Sequence, residues 1–341
     1  LLLIGPHGTG KSYLLARTCE ALALRWRHYN ASLLNFDDLV GYPLPDNDGK
    51  LKYVQTPSSV WDAEAVFIDE ISRCRPDIQN KLFPIIHERR VQGIALERLR
   101  YRWAAMNPCV PDQNGTDYYE GSQSLDQALA DRFAFVVQVP DWKDLNDKDR
   151  KRVSDPRGEK SPSKKGGTLK ERIARARGLF ERSITELPAA LQIYAVTSSS
   201  QLNDADIRIS PRRARQLTRN LLAVTATNDG LFDKNLFRLA LQSSIPHPAW
   251  GDAADESLVQ AVHRNAWLAA FGEGSDQWLN LVLLERSLPR RIKKLLREAP
   301  DPDTGTLAVT RTLATEPPER AALFAFALYP ALLESGNGPV G

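Results

Sequence analysis

Cysteine, methionine and net charge are all scarce in this chain. Its 341 residues include 3 cysteines and 1 methionine. Cys19, Cys74 and Cys109 are odd in number and fit neither a disulfide framework nor a zinc site, which points to a reducing, cytoplasmic compartment. The histidines His7, His28, His87, His247 and His263 show no ligand spacing either. A formal net charge of +3 is too small to mark a nucleic-acid footprint by itself. No apolar run nears the roughly twenty residues that span a bilayer, and no signal peptide is visible, so no membrane span is expected. With 42% hydrophobic and 26% charged residues the composition is globular, and the length suits one large or two medium domains. The single methionine is Met106 and the chain opens inside an apolar run, so residue 1 is not expected to be the biological N-terminus.

What is present begins at once. Leu1 to Ile4 reads as a buried strand, followed by Gly5-Pro6-His7-Gly8-Thr9-Gly10-Lys11-Ser12 in G-x-x-x-x-G-K-[ST] spacing and then a helix to about Leu24. Gly5, Gly8 and Gly10 allow the backbone to come close to a ligand, so that successive N–H groups converge on phosphate oxygens at the helix start. In that setting Lys11 supplies a point charge to the β and γ phosphates, and Ser12 a hydroxyl for Mg2+. The expected ligands are therefore ATP and Mg2+.

Ala65 to Ile68 is an apolar run fit for a central parallel strand, and it ends on Asp69-Glu70. In an open α/β sheet ligands sit at the carboxyl ends of strands, so these carboxylates fall beside the phosphates. Asp69 is suited to hold Mg2+, and Glu70 to polarise the attacking water. A helix is expected from about Pro76 to Arg89, a strand from Arg100 to Met106, a short helix from Ser124 to Arg132 and a strand from Phe133 to Val139. Asn107, at a strand end, either orients the attacking water or makes an ordinary Asn-Pro turn, and local sequence favours the turn. Gly41 to Gly49 breaks regular structure and Lys50 to Gln55 alternates like a strand, which together suggest an inserted hairpin. The fold class is α/β: a doubly wound parallel sheet with a topological switch at the phosphate loop.

In their order these segments resemble a MoxR-type ATPase of the AAA+ superfamily, over roughly residues 1 to 250. The matching segments are Gly5 to Ser12, Asp69 to Arg73, Glu88 to Val91, Met106-Asn107-Pro108, Leu129 to Phe133 and Ile209 to Arg212. Ser72 stands where that family usually has Asn. The resemblance implies that Arg132 is an arginine finger completing a neighbouring subunit's site, and that Arg212 contacts the γ phosphate from a lid. It further implies a closed homo-oligomeric ring, expected to be a hexamer, and a protein partner carrying a von Willebrand factor A domain. Asp46 and Asp48 at the hairpin tip are candidate carboxylate donors to that partner's metal, with plain turn chemistry as the simpler explanation.

The expected domains are a core over 1–141, a charged flexible linker over 142–170, a helical lid over 171–248 and a helical extension over 249–341. Within the extension, helices are expected over Ser257 to Phe271, Trp278 to Glu298 and Arg320 to Leu333, with a basic run from Arg286 to Arg297 taken as a solvated face. The competing function class is a nucleic-acid-stimulated motor. It needs basic or aromatic residues on pore loops, whereas Gly41 to Tyr53 offers mostly Pro, Asp and Asn.

Overall fold

The computed structural model describes residues 1–45, 47–49, 51–109, 122–159, 166–249 and 254–334. From its start the chain forms β1 (Leu2–Ile4), α1 (Lys11–Ala21), β2 (Trp26–Asn30), α2 (Phe36–Val40), β3 (Tyr42–Pro45), β4 (Leu51–Val54), β5 (Ala65–Asp69) and α3 (Pro76–Phe83). Then come β6 (Arg90–Val91), β7 (Ile94–Ala95), β8 (Tyr101–Met106), α4 (Gln127–Ala130) and β9 (Val136–Gln138). The rest is helical: α5 (Asp147–Val153), α6 (Gly166–Ser183), α7 (Ala189–Asp204), α8 (Pro211–Thr227), α9 (Lys234–Gln242), α10 (Glu256–Phe271), α11 (Gly274–Leu283), α12 (Leu288–Glu298), α13 (Pro302–Thr315) and α14 (Pro318–Glu334).

Five strands form one parallel sheet in the order β2-β5-β8-β1-β9. Whereas the edge strands β2 and β9 are partly exposed, β1 and β5 are apolar on both faces because both faces are covered. The period of two sorts them: Leu2, Ile4, Val66, Ile68, Ala104 and Met106 enter one cluster, while Leu3, Phe67 and Ala105 pack with Leu15 of α1 in another. This is the expected α/β core, a parallel sheet followed by helices.

Several local expectations are corrected. The helix from Pro76 stops at Phe83 and Pro84–Glu88 is a π turn, since Pro84 has no N–H for the ladder and its ring crowds the carbonyl four residues back. α4 starts after Asp126, whose carboxylate accepts from Leu129 N, rather than at Ser124. Tyr42–Pro45 is a strand despite Pro43 and Pro45, which an isolated two-stranded ribbon tolerates because its outer edge needs no donor. Gly41 precedes it at φ 86°, and a Cβ there would lie 2.2 Å from the Val54 carbonyl oxygen. The stretch read as a flexible linker holds α5, capped by Asn146, with acids in its first turn and bases in its last. Its charges pair three apart, Arg150 with Asp147 at 3.6 Å and Arg152 with Asp149 at 3.7 Å.

The chain divides into two compact units, Leu1–Thr185 with Ile207–Ala254, and Glu186–Asp206 with Asp255–Gly341. The first holds the sheet with α6, α8 and α9. In the second α7, placed in the lid by sequence, packs on α10, and the Tyr194 hydroxyl lies 2.7 Å from His263 Nδ1. Leu279, Val282, Leu295, Ala308, Phe324 and Leu328 form this unit's own core. The segment from Trp278 to Glu298 is two helices, α11 and α12. α13 is missed by pattern because Thr304, Gly305, Thr306 and Thr310 are poor helix formers that packing overrides. Arg291, counted in the solvated basic run, is 4% exposed and meets Glu316 at 2.8 Å. Among the described residues no helix is long and apolar enough to cross a membrane.

Candidate active site

The loop from Gly5 leaves the carboxyl end of β1 and becomes α1. Gly8 and Gly10 have φ of 73° and 78°, conformations that a side chain strains. Gly5 is required by space, because a Cβ there would come within 2.8 Å of the Val139 carbonyl oxygen. Thr9 Oγ1 donates to the Pro6 carbonyl at 2.8 Å, which closes the loop on itself, and His7 is exposed. Lys11 is only 8% exposed. Its Nζ donates to the carbonyls of Gly5 and Pro6, both at 2.7 Å, and to Asn107 Oδ1 at 3.1 Å. Burial lowers the pKa of this ammonium, opposed by Asp69 and Glu70.

Asp69 ends β5 beside the loop. Its Oδ2 accepts from Ser12 Oγ at 2.6 Å and its Oδ1 from the Glu70 amide at 3.0 Å, while His28 Nε2 on neighbouring β2 lies 3.5 Å from Oδ2. Burial alone would raise the Asp69 pKa, but His28, Ser12 and the Glu70 N–H outweigh it and the net shift is downward. An ionised carboxylate touching a hydroxyl is a hard oxygen pair that fits Mg2+. Among the described residues no group of three or more His, Cys, Asp or Glu forms a metal cluster.

Glu70 adopts φ 51°, ψ 40°. A left-handed conformation costs a non-glycine residue roughly 1–2 kcal/mol, and such strain gathers at functional sites. The strain turns the chain sharply into Ile71–Arg73, and Arg73 Nη1 ends 3.8 Å from Glu70 Oε2. Asn107 follows β8, one strand from β5, and its side-chain Oδ1 accepts from Lys11. Local sequence favoured an ordinary turn at Asn107. The structure puts it in contact with the loop lysine.

The arginines gather elsewhere in the same unit. Arg132 lies over the Phe83 ring, 4.5 Å from its centroid, and Nη1 donates to the Ala128 carbonyl. Ser210 caps α8 by accepting from Arg213 N at 3.0 Å, and its hydroxyl donates to Asp131 at 3.0 and 3.1 Å. Arg213, 3% exposed, donates to the carbonyls of Phe133 at 2.8 Å and Ala130 at 3.0 Å, with Nε 3.4 Å from Asp131. Arg212 is 41% exposed and lies 3.3 Å from Asp131 Oδ2. Of the adjacent pair, Arg213 is bound into the packing and Arg212 faces outward. His87 is held below the ordinary histidine pKa by burial, then by Arg212 and Arg132, so both arginines act on one neighbourhood.

Lys11, Ser12, Asp69, Glu70 and Asn107 thus gather at one centre, while Arg132 is held by Phe83 and Ala128, and Arg212 by Asp131. Sequence reasoning missed His28, Phe83, His87 and Asp131. His28 reaches Asp69 only through strand pairing, which local sequence does not encode. Asp131 sits next to Arg132 in a quoted segment, and an acid at a helix end beside an arginine was its only signal. Asp46 lies outside the described residues, as do Trp250 and residues 160–165.

Residues 1–133 match the family model for the AAA domain, dynein-related subfamily. The matched span contains the phosphate loop, Asp69-Glu70, Asn107 and Arg132, and so supports an AAA-type ATPase domain there. The chain is also similar to the crystal structure of a candidate ATPase from Cytophaga hutchinsonii, at 19% identity and a TM-score of 0.49, over 77% of this chain and 83% of that one. No curated protein matches the chain.

Proposed function

We propose that this chain is an ATP-hydrolysing motor of MoxR type, working as a closed ring and remodelling a protein partner. One observation carries the hydrolytic part: at the carboxyl ends of three adjacent strands Lys11 bonds Asn107, the next residue Ser12 bonds Asp69, and the strained Glu70 directly follows Asp69. Lys11 and the loop amides bind the phosphates, and Ser12 and Asp69 hold Mg2+. Held there by Ser12 and Asp69, Mg2+ would supply positive charge to the transferring phosphates. Glu70 takes a proton from the attacking water, and Asn107 orients that water. Arg132 serves the next subunit's nucleotide, placing a planar cation on the transferring phosphoryl group, and Arg212 reaches the γ phosphate from the lid.

The partner side rests on the inserted hairpin. Tyr42, Leu44 and Val54 are exposed by 56, 52 and 47%, and pairing of Tyr42 with Val54 puts all three on one face. Such a face suits a protein better than a phosphate backbone. The proposed partner carries a von Willebrand factor A domain, with Asp48 as candidate donor to its metal. ATP hydrolysis by the full chain, measured with and without DNA, tests the motor class, and stimulation by DNA would move the reading to a nucleic-acid motor. Capture from the native host with and without a chelator tests the partner. Chelator-sensitive recovery of such a protein is expected, and nucleic acid alone would overturn it.

A further inference from the structure

We infer that Phe83 is the positioning residue that aims Arg132 across the subunit boundary, which rests on the trans role of Arg132 proposed above. An arginine just beyond a helix end would otherwise sample many rotamers, worth up to about 2 kcal/mol of side-chain entropy. Two contacts remove that freedom: the Phe83 ring under the guanidinium at 4.5 Å, and the Ala128 carbonyl that accepts from Nη1. Nε of Arg132 is buried without a hydrogen-bond partner. No acceptor compensates that edge, so the negative face of the ring is what meets the buried side of the half-buried guanidinium.

Phe83 is itself fixed. It packs against the main core cluster, and the π turn Pro84–Glu88 begins at the next residue. A π turn changes the direction in which side chains leave the helix axis, and such turns recur at functional sites. An aromatic anchored in the core at this point is a rigid shelf, whereas an acidic partner at the same place would neutralise the charge that the phosphoryl group needs. The ring restrains the cation and leaves it charged.

The test is a double-mutant cycle in steady-state ATP hydrolysis by the full chain: wild type, Phe83→Leu, Arg132→Ala and both together. Loss of a stacked cation predicts that Phe83→Leu lowers kcat about 3- to 30-fold with nucleotide affinity unchanged. Phe83→Tyr, which keeps the aromatic face, should return most of that turnover. Once Arg132 is Ala, Phe83→Leu should have no further effect. An equal loss with and without Arg132 would mean that Phe83 acts through core packing, and would overturn the inference. So would an unchanged kcat in Phe83→Leu while Arg132→Ala abolishes turnover, but the trans role of Arg132 would then stand. Wild-type hydrolysis by Arg132→Ala would remove that role first and the inference with it.

Discussion

Lys11 carries a charge in a place where burial works against it, and the nearby carboxylates of Asp69 and Glu70 work for it. Its contacts with Gly5, Pro6 and Asn107 use all three ammonium donors inside the loop. Lys11→Ala should therefore weaken ATP binding, read as a raised Kd in a titration with labelled nucleotide. Glu70→Gln keeps the size of the side chain and removes the base, so binding should persist while turnover falls about 100-fold or more. A variant that bound ATP and hydrolysed it at the wild-type rate would displace Glu70 from the role. Asp69 differs from Glu70 in kind: it is bonded on both oxygens and ionised. The proposed roles of the two adjacent acids therefore rest on different surroundings, bonded for Asp69 and strained for Glu70.

Among the elements, the start of α8 is tied to the segment after α4 through Asp131, which receives Ser210, Arg212 and Arg213. Asp131→Asn would leave the buried Arg213 with a weaker counter-ion. Denaturant unfolding should show a loss of about 2–4 kcal/mol, somewhat under a fully buried pair because Asp131 is 22% exposed. Arg212→Ala, by contrast, should change stability by less than ~1 kcal/mol, as an exposed pair does. Near the end of β9, His247 Nδ1 accepts from Ala249 N at 3.2 Å and Nε2 lies 2.8 Å from Gln138 Oε1. Protonating Nδ1 would set that amide N–H against another donor. Burial lowers the His247 pKa from 6.5 to about 4. Between those values the unfolded chain binds the extra proton and the folded one does not, so stability is full above 6.5 and declines as pH falls toward about 4. His247→Gln should be less stable than wild type at neutral pH and approach it as pH falls, in melting curves taken across that window.

For the whole molecule, the proposed trans role of Arg132 demands assembly, and head-to-tail contacts must close into a ring to avoid filaments. Arg132→Ala and Lys11→Ala subunits should each keep only a low residual turnover alone and regain part of the lost turnover when mixed, because some interfaces then hold both groups. Full ATPase activity in a monomer at low concentration would contradict the ring. The sequence by itself determined the strand, loop and helix around Lys11, the apolar runs of β1 and β5, and the acids at the end of β5. Those features depend on residues a few positions apart, where backbone preference and burial act directly. Only the tertiary structure decided that Arg213 rather than Arg212 is buried, that Phe83 lies under Arg132, that His28 reaches Asp69 and that α7 packs with α10. Arg213 shares one face of α8 with Leu217 and Leu221, but what that face packs against is not a local property. The fates of the two arginines were set by packing between residues far apart in the chain, where the Arg213 guanidinium meets the buried carbonyls of Ala130 and Phe133 while both arginines reach Asp131.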